Sequence, residues 1–414
     1  MELRDLGDRI RLQREKMALT QGELGGRLGV SPQAVSKWER GENAPDVALL
    51  SPLADALGVS VDWLLGRAAQ ADGLSYEKAG VSIPAAMRAK ARVAELLPAR
   101  DPRVLSSFSA FAQVLDPQFP GFDDPVLVLK AEEPGSKQLL ALQHGALRGI
   151  GHDLVNHLTN DVIAVGATPV AVVDTILCGH LEPDTIVELV AGIAEACREQ
   201  EALLLGGETS EQPGVLPDGS YMLCATMLGV VERHRILDGS RIRPGDQLLC
   251  LPSNGAHTNG YSLIRKLLEL DPLLAKKPVG DETFLEAVLR PHRCYWQCLK
   301  ELIGSPDLHG LAHITGGGIP DNLARILPEG TAAQIDVTAM RVPPLFAAIR
   351  DAGRISDAEM LRTFNCGVGM LAVAAPEAGA ELRKHLAGHG CEAYVLGEIV
   401  PGEGSVVFHG APGW

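Results

Sequence analysis

Three acidic residues lie beside glycines or at the predicted ends of apolar strands: Glu132, Asp161 and Glu208. Glu208 follows the pair Gly206-Gly207, in a segment that is predicted to run from a strand into a glycine loop. Glycine lets backbone N–H groups approach a phosphate closely, and carboxylate oxygen atoms are ligands that Mg²⁺ prefers. A magnesium–triphosphate site requires this combination, so we expect these residues to bind a nucleotide.

Composition and motifs exclude several other classes of protein. The sequence contains no GxxxxGK[ST] P-loop and no protein-kinase motif set, so a familiar nucleotide-binding fold is not indicated. The N-terminus is charged from its first turn, and no stretch approaches the roughly 18–20 apolar residues that span a bilayer. The eight cysteines are scattered without CxxC pairs, which favours reduced thiols over disulfides or a metal site. We therefore expect a cytoplasmic protein that does not contact a membrane.

The acidic residues belong to a chain that alternates short apolar strands with helices. Predicted strands are PVLVLKA, EALLLGGE, YMLCATMLGVVE and DQLLCLPS, and DTIVELVAGIAEACREQ is a predicted amphipathic helix. This alternation predicts an α/β or α+β body. Because 414 residues are too many for one compact core, we expect two or three domains in all.

The first 66 residues have a different, all-helical pattern. Thr20 and Glu23 form a predicted capping box at the start of one short helix, and Gly29 suits the turn after its end. Ser31 is predicted to cap a second helix that has Pro32 at its first position. A short helix, a glycine turn and a second capped helix together predict the helix-turn-helix geometry.

The stretch TQGELGGRLGVSPQAVSKWERGENAPDVALLSPLADALGVSVDWLL closely resembles the Cro/CI-type helix-turn-helix family, over the full length of that domain. The resemblance makes residues 32–40 the recognition helix, with three DNA-binding side chains facing the major groove: Gln33, Ser36 and Lys37. It also places Gln21 where it would contact phosphate or brace Gln33. Trp38 is predicted to belong to the core rather than to stack on a base.

Charge limits how the head could bind DNA. The net charge of the chain is −15, and residues 1–66, with eight Lys or Arg and ten Asp or Glu, account for −2 of it. The remaining −13 lies in the body, so the global field repels phosphate and DNA binding must come from one local face. A head of this fold that binds protein, or has lost DNA binding, is the alternative.

A predicted linker follows the head, and the segment after it looks like the N-terminus of a separate protein. Residues 67–73, RAAQADG, are small and polar without periodicity and form a predicted linker. The next segment, LSYEKAGVSIPAA, is similar to the opening of an AIR synthase. Six longer strings resemble the same family in order and spacing: GHDLVNHLTNDVIAVGATPVAVVDTI, LLLGGETSEQPG, ILDGSRIRPGDQLL, SNGAHTNGYSLIRKLL, AHITGGGIPDNLARILP and RTFNCGVGM. They extend through almost all of residues 74–410.

The resemblance to AIR synthases implies both a fold and an activity. It implies two α/β halves, here residues 74–235 and 236–414, and a homodimer in which the sheets of the N-terminal halves close into a shared barrel. ATP and Mg²⁺ would bind mainly to the first half. The substrate would be formylglycinamidine ribonucleotide, whose ring closure gives aminoimidazole ribonucleotide, ADP and phosphate. In this reaction ATP phosphorylates the formyl oxygen and the amidine nitrogen attacks the formyl carbon, so positioning and charge neutralisation do most of the work.

Site residues are carried over from the resemblance by motif. The implied magnesium–ATP set consists of Glu132, Asn160, Asp161 and Glu208, of which Asp161 and Glu208 are also assigned to catalysis. Further nucleotide-binding residues come from two glycine motifs: Gly135, Ser136, Lys137, Gly206 and Gly207. Lys137 would meet a phosphate.

The substrate and phosphate side would be lined by residues of three later strings. They are His257 and Asn259, both assigned to catalysis, and Thr315, Gly316, Gly317 and Gly318. Asn365 lies in a family string without an assigned role. Each of these residues has a structural alternative: Asn160 and Asn365 could cap loops, and His257 could be a satisfied buried histidine.

Two departures from the family pattern fall on the ATP side. A family loop of the kind Gly-Gly-x-Gly-Gly-Phe-Gly-Ala is replaced by SSFSAFAQVL at residues 106–115, which keeps Phe111 but no glycine. The family's Asp-Gly-Val-Gly-Thr-Lys becomes EEPGSK at residues 132–137. There Glu133 adds a side chain and a charge, and Pro134 removes a backbone N–H donor.

Three functions therefore remain open. The first is an active AIR synthase with an added DNA-binding head, and the second is a transcriptional regulator whose body senses a purine intermediate or nucleotide without turnover. The third is a related enzyme with another phosphorylated acceptor, which the long substrate-side strings disfavour. In the first two cases a homodimer would carry two heads, which suits a palindromic DNA operator with half-sites about one helical turn apart.

Overall fold

The computed structural model describes residues 2–67, 75–96, 101–107 and 110–414. The chain forms two compact units, Met1–Gly80 and Val81–Trp414, which we call the head and the body. Of the predicted linker, residues 68–73 lie outside the described residues, as do residues 108 and 109 of the altered loop. None of the described helices combines the length and the apolar character that a membrane-spanning segment needs.

The head is all-helical, as the sequence predicted. Its helices are α1 (Leu3–Lys16), α2 (Gln21–Leu28), α3 (Pro32–Glu39), α4 (Leu50–Leu57) and α5 (Val61–Leu64), with a 3₁₀ turn at Val47–Leu49. The capping box of Thr20 and Glu23 is present, and Gly29 ends α2 in the left-handed conformation. Ser31 caps α3, which begins at Pro32. The helix-turn-helix that these local signals predicted is therefore present in the structure.

The core of the head collects apolar side chains from all its longer helices: Leu6, Ile10, Leu24, Val35, Trp38, Leu53, Leu57 and Leu64. Trp38 is buried, which confirms the core interpretation of this residue. One ion pair lies in the same interior, where Arg14 Nε donates to Glu39 Oε1 at 2.5 Å and Arg14 Nη2 to Glu39 Oε2 at 3.0 Å. This pair joins α1 to α3.

The first half of the body is a four-stranded sheet with helices on one face. Its elements are α6 (Ile83–Leu96), β1 (Pro125–Glu132), α7 (Lys137–Gln143), α8 (Leu147–Ala164), β2 (Thr168–Cys178), α9 (Pro183–Glu199), β3 (Leu203–Glu211) and β4 (Tyr221–Glu232). The strand order is β1-β4-β2-β3. The β2–β3 pair is parallel, and the other pairs are antiparallel.

Helices α8 and α9 cross closely over this sheet. Two glycines allow the approach, since a Cβ on Gly192 would lie 2.3 Å from the carbonyl oxygen of Arg148, and one on Gly151 would lie 2.6 Å from the Ile193 nitrogen. Helix α8 also contacts β8 of the second half. It therefore lies where the two halves of the body meet.

Two of the three acidic residues are not at strand ends, contrary to the sequence prediction. Asp161 lies within α8, an 18-residue helix that is buried on most of its surface and therefore has no clear polar face in its sequence. Glu208 lies inside β3, because the strand continues through the glycine pair to Glu211. Only Glu132 ends its strand, β1.

The second half of the body contains a six-stranded sheet in the order β12-β9-β11-β5-β10-β8, in which only the β12–β9 pair is parallel. Its elements are β5 (Gln247–Pro252), α10 (Tyr261–Leu270), β6 (Pro278–Val279), β7 (Glu282–Thr283), α11 (Phe284–Leu289), α12 (Trp296–Leu299), β8 (Leu308–His313), α13 (Gly318–Leu323), β9 (Thr331–Asp336), α14 (Pro344–Gly353), α15 (Asp357–Thr363), β10 (Val368–Ala374), α16 (Gly379–Gly388), β11 (Tyr394–Pro401) and β12 (Val406–His409). Short 3₁₀ turns lie at Arg233–Arg235, Pro272–Lys276, Ala324–Ile326 and Val337–Ala339. Apolar cores lie on both faces of this sheet, one of them including Leu248 and Leu371 and the other Leu249 and Met370.

The buried ion pair of the head gives a stability prediction. We expect Glu39→Gln to destabilise the head by about 3 kcal/mol, because Arg14 would keep its charge in the interior with only a neutral partner. Glu42→Gln is the matched control, since Glu42 pairs with Arg40 on the exposed surface. Native-state hydrogen exchange of the full chain, measured on amides of α1 and α3, would give the difference. Equal protection in the two variants would contradict the structural role of the pair.

Candidate functional site

The predicted magnesium ligands Glu132 and Asp161 lie together, but they share a lysine. Lys130 Nζ is 3.0 Å from Glu132 Oε2 and 3.0 Å from Asp161 Oδ2. Burial alone would raise the pKa of Asp161, but its hydrogen bond with His313 and the positive charge of Lys130 hold that pKa well below the ordinary value. The two carboxylates are therefore already neutralised in part by an ammonium group.

Four histidines lie beside these carboxylates and come from four separate segments: His157 on α8, His257 after β5, His292 before α12 and His313 at the end of β8. The rings of His257 and His292 are stacked, with centroids 3.9 Å apart. The Nε2 atoms of His292 and His313 are 3.1 Å apart, and His313 Nδ1 is 2.7 Å from Asp161 Oδ1. Imidazole groups and carboxylates therefore lie close together at the junction of the two halves of the body.

Burial controls the charge of this histidine cluster. It lowers the pKa of His157 to about 4. It holds the pKa values of His257 and His292 well below the ordinary histidine value, and the neighbouring imidazoles act in the same direction. These three rings are therefore neutral at physiological pH.

Asn160 uses its amide within the protein. Its Oδ1 accepts a hydrogen bond from the Tyr295 backbone N–H at 3.0 Å, and its Nδ2 donates to the Arg293 carbonyl at 2.8 Å and to His292 Nε2 at 3.2 Å. These contacts fix the orientation of the amide. Asn160 therefore braces the loop that carries His292.

The predicted phosphate ligand Lys137 is fully enclosed. Its ammonium group lies 2.8 Å from Asp153 Oδ1 and donates to the carbonyl oxygens of His257 and Arg290 at 3.1 and 2.7 Å. Ser136 immediately precedes α7, and Gly135 adopts a left-handed φ of 64°. All three lysine donors have protein partners, so Lys137 connects the first half to two loops of the second half.

Glu208 lies in a different place, in a cavity of about 710 Å³ at the outer strand β3. The same cavity is lined by Gly206, Gly207 and Asp174. Gly206 has a φ of 124°, and a Cβ on Gly207 would lie 2.2 Å from the Asp174 carbonyl oxygen, so both positions require glycine. Burial raises the pKa of Asp174 to about 7. Residues 110–113 of the altered loop form part of the cavity wall, and Phe111 there is exposed.

The predicted magnesium set is consequently divided within one chain. Glu132 and Glu208 lie on β1 and β3, which are the two outer strands of the four-stranded sheet. Three strand spacings separate them, which is about 14 Å. One metal ion cannot contact both residues of the same chain.

Part of the predicted substrate side forms a second cavity, of about 420 Å³. Asn259, Gly316 and Gly317 line it together with Arg362, which the sequence analysis did not single out. The remaining motif residues lie nearby in sequence: Thr315 donates to Asn322 Oδ1, and Gly318, the first residue of α13, has a φ of 65°.

Asn365 has a bracing role. Its Oδ1 accepts hydrogen bonds from Ser253 Oγ at 2.8 Å and the Gly367 backbone N–H at 3.0 Å, and its Nδ2 donates to the Gly255 carbonyl at 2.9 Å. The side chain therefore holds the loop after β5 against the loop before β10.

In the head, Gln33 and Lys37 are exposed on α3, and Ser36 is half-buried and accepts a hydrogen bond from Arg40. Gln21 Nε2 donates to Glu39 Oε2 at 2.8 Å. Gln33 and Lys37 thus remain accessible on α3 in the head taken by itself, while Gln21 braces the buried ion pair.

Six residues at these sites were not predicted from the sequence: Lys130, Asp174, His157, His292, His313 and Arg362. Two signals were available for them. Asp174 is the single charged residue in the strand TPVAVVDTILC, and His157 precedes Asp161 by one helical turn. His292 gave no signal, because only folding brings its loop to α8.

Family models match the head and both halves of the body. A model described as AIR synthase related protein, N-terminal domain, matches residues 122–231, and one described as AIR synthase related protein, C-terminal domain, matches residues 243–410. A helix-turn-helix model matches residues 10–64.

Individual relatives extend the comparison. The phosphoribosylformylglycinamidine cyclo-ligase of Nitrosococcus oceani is 39% identical over 332 residues, which cover 79% of this chain and 92% of that protein. The E. coli hydrogenase maturation protein HypE has a TM-score of 0.57 at 18% identity and covers 80% of this chain and 95% of its own. A thiamine-monophosphate kinase from Stenotrophomonas maltophilia K279a has a TM-score of 0.53 at 18% identity, covering 79% and 96%.

A HypE structure in complex with ATP has a TM-score of 0.54 at 19% identity, over 74% of this chain and 86% of that chain. At these identities the solved structures establish the fold of the body. The cyclo-ligase relative and the family models establish more: this chain belongs to the AIR synthase family and carries a helix-turn-helix domain at its N-terminal end.

Proposed function

We propose that the body is an ATP- and magnesium-dependent cyclo-ligase, which converts formylglycinamidine ribonucleotide to aminoimidazole ribonucleotide, ADP and phosphate. The observation that carries the proposal is the 39% identity to a cyclo-ligase over 92% of that protein's length. Sequence similarity over nearly the full length of a relative is stronger support for a shared activity than a similar fold is.

The nucleotide is assigned to the cavity around Gly206 and Gly207. Its glycine backbone leaves room for phosphate, and the carboxylates of Asp174 and Glu208 offer the oxygen ligands that Mg²⁺ prefers. We favour these two residues over Glu132 and Asp161, because the latter pair already holds Lys130. The ATP-bound state of a HypE neighbour is consistent with a nucleotide in this fold.

The ribonucleotide is assigned to the second cavity. Arg362 there supplies a guanidinium group suited to a phosphate, and Asn259 and the glycines offer amide and backbone hydrogen bonds. Bound ATP supplies the phosphoryl group that makes the formyl oxygen a leaving group. The chain itself then has to orient the amidine nitrogen towards the formyl carbon and keep water away.

A second candidate function is a transcriptional regulator whose body senses a nucleotide or purine intermediate. Two observations favour it: the ammonium of Lys130 is held between the predicted metal ligands, and the loop at the nucleotide cavity has lost its glycines. We propose DNA binding by the head under either function, through Gln33, Ser36 and Lys37.

We further propose a homodimer formed through the open face of the four-stranded sheet. Leu127, Leu129 and Met222 are exposed on this face, by 58%, 72% and 44%. Burial of such leucines against a second copy would be favourable. Two heads per dimer would then match a palindromic operator.

Turnover tests the first proposal. We expect the purified chain to form aminoimidazole ribonucleotide and ADP in equal amounts from ATP, Mg²⁺ and formylglycinamidine ribonucleotide. Asp174→Asn and Glu208→Ala should each lower kcat by at least about 100-fold, because each removes charge stabilisation of the transferring phosphoryl group. Steady-state assays of both products provide the measurement.

Glu301→Gln is the control, since Glu301 is an exposed carboxylate outside both cavities. Tight binding of ATP or ribonucleotide without turnover would reject the enzyme and favour the sensor. Full turnover in both cavity variants would reject the assignment of the nucleotide cavity.

DNA selection tests the head. We expect the full chain to enrich a palindrome from a random duplex library, and Gln33→Ala to weaken that site by about 1–3 kcal/mol, because a base-edge contact is lost. Lys37→Ala should lower the slope of log affinity against log salt by about 1 if it contacts phosphate. Ser51→Ala, an exposed change on α4, serves as control. Equal affinity of all four proteins for every duplex would show that α3 does not read DNA.

A further inference from the structure

A third cavity, of about 430 Å³, adjoins the cavity that we assign to the ribonucleotide. Gly317, Asp321 and Arg362 line both cavities. The ribonucleotide cavity continues to Asn259, whereas the third cavity is lined by residues of α13, α15 and β12. A ligand that is held at the shared residues can therefore extend into either cavity.

The walls of the third cavity are largely apolar, with side chains that include Pro320, Leu361 and Phe408. Apolar walls favour a flat ring, which buries both of its faces, over a free sugar or an inorganic ion. A volume of this size falls in the range of roughly 300–1,000 Å³ that is usual for small-molecule sites. The cavity therefore suits the heterocyclic base of a ligand.

The wall formed by residues 410–412 is held in place by contacts outside the cavity. Trp414 Nε1 donates to Asp357 Oδ1 at 2.9 Å, and the Arg350 guanidinium lies over the same indole, 5.3 Å from its centroid. Gly410 has a left-handed φ of 85°, and a Cβ there would lie 2.4 Å from Thr338 Cγ2. The cavity is thus a formed part of the fold.

Arg362 lies where the two cavities meet. It is half-buried, and within the described part of the chain its guanidinium has no ion-pair or hydrogen-bond partner. The carboxylates of Asp321 and Glu359 line the ribonucleotide cavity beside it and would repel an anion. A phosphate can therefore bind there only through the guanidinium, which offers paired N–H donors.

We propose that Arg362 and the third cavity bind a purine nucleoside 5′-monophosphate, with the phosphate on the guanidinium and the base between the apolar walls. A purine buries more apolar surface than the single ring of a pyrimidine and is preferred for that reason. This inference rests on the proposed ribonucleotide cavity, because both ligands use Arg362 for their phosphate. The nucleotide would compete with the ribonucleotide, as an inhibitor of an enzyme or as an effector of a sensor.

Calorimetric titration of the full chain with guanosine 5′-monophosphate tests the proposal. Mg²⁺ and a non-hydrolysable ATP analogue are kept at saturating concentration, so that the nucleotide cavity at β3 is filled. We expect guanosine 5′-monophosphate to bind at least about 10-fold more tightly than ribose 5-phosphate, which has the phosphate without the base. No binding of guanosine 5′-monophosphate, or equal affinity for the two ligands, would overturn the proposal.

A variant that fills the third cavity locates the base. Ala358 is exposed on α15 and lines this cavity but not the ribonucleotide cavity. Ala358→Trp should weaken guanosine 5′-monophosphate by at least about 10-fold and ribose 5-phosphate by less than about 2-fold, because the indole takes the space of the base. Ala352→Trp, the same change at an exposed position of α14, is the control. Equal affinities in the two variants would place the base elsewhere. Circular dichroism would report folding separately.

The shared arginine gives a test of competition. Arg362→Gln should weaken both phosphorylated ligands by at least about 10-fold, because the neighbouring carboxylates then lack a cation, and Arg362→Lys should restore part of the affinity. In turnover assays guanosine 5′-monophosphate should raise the apparent KM for formylglycinamidine ribonucleotide and leave kcat unchanged. If the chain has no turnover, the ribonucleotide should still displace guanosine 5′-monophosphate. Simultaneous binding of both would contradict a shared phosphate site, whether or not the cyclo-ligase proposal holds.

Discussion

The buried ammonium group of Lys137 is the interaction on which the geometry of the body depends. It is 0% exposed, and its three donors go to Asp153 and to carbonyl oxygens of two loops in the second half. Asp153 Oδ1 also accepts the His292 backbone N–H at 2.7 Å. A buried charge is tolerated only when it is paired and hydrogen-bonded, so these loops have little freedom to move from α8. His257 and His292 lie on the loops that this network holds, so their positions in the histidine cluster depend on it.

Local signals predicted much of the fold. The capping box, the left-handed Gly29 and the Ser31-Pro32 pair placed the helices of the head, and apolar alternation placed β1 and β4. The spacing of apolar residues could not separate a strand end from a helix around Asp161, because the segment is buried on most sides and lacks a clear polar face. Burial thus removed the amphipathic signal on which the prediction relied.

The sites were harder to predict than the fold, because they depend on pairs of residues that are distant in sequence. Motifs brought Glu132 and Glu208 into one predicted set, but strand order separates them across the sheet. The contact of His313 with Asp161 spans 152 residues, and no periodicity reports such a pair. Motif similarity therefore identified the family, whereas topology decided which acids share a site. The cavity at β3 retains its required glycines, and the facing loop lacks those of the family pattern, so turnover is the property that distinguishes an enzyme from a sensor.

Under the proposed function, the body transfers the ATP γ-phosphoryl group to the formyl oxygen of its substrate. The most direct measurement uses formylglycinamidine ribonucleotide labelled with ¹⁸O at the formyl group, with mass analysis of the phosphate released. We expect one ¹⁸O atom in the phosphate released for every aminoimidazole ribonucleotide formed. Unlabelled phosphate would mean that ATP is hydrolysed by water, and the claim of a cyclo-ligase would be contradicted.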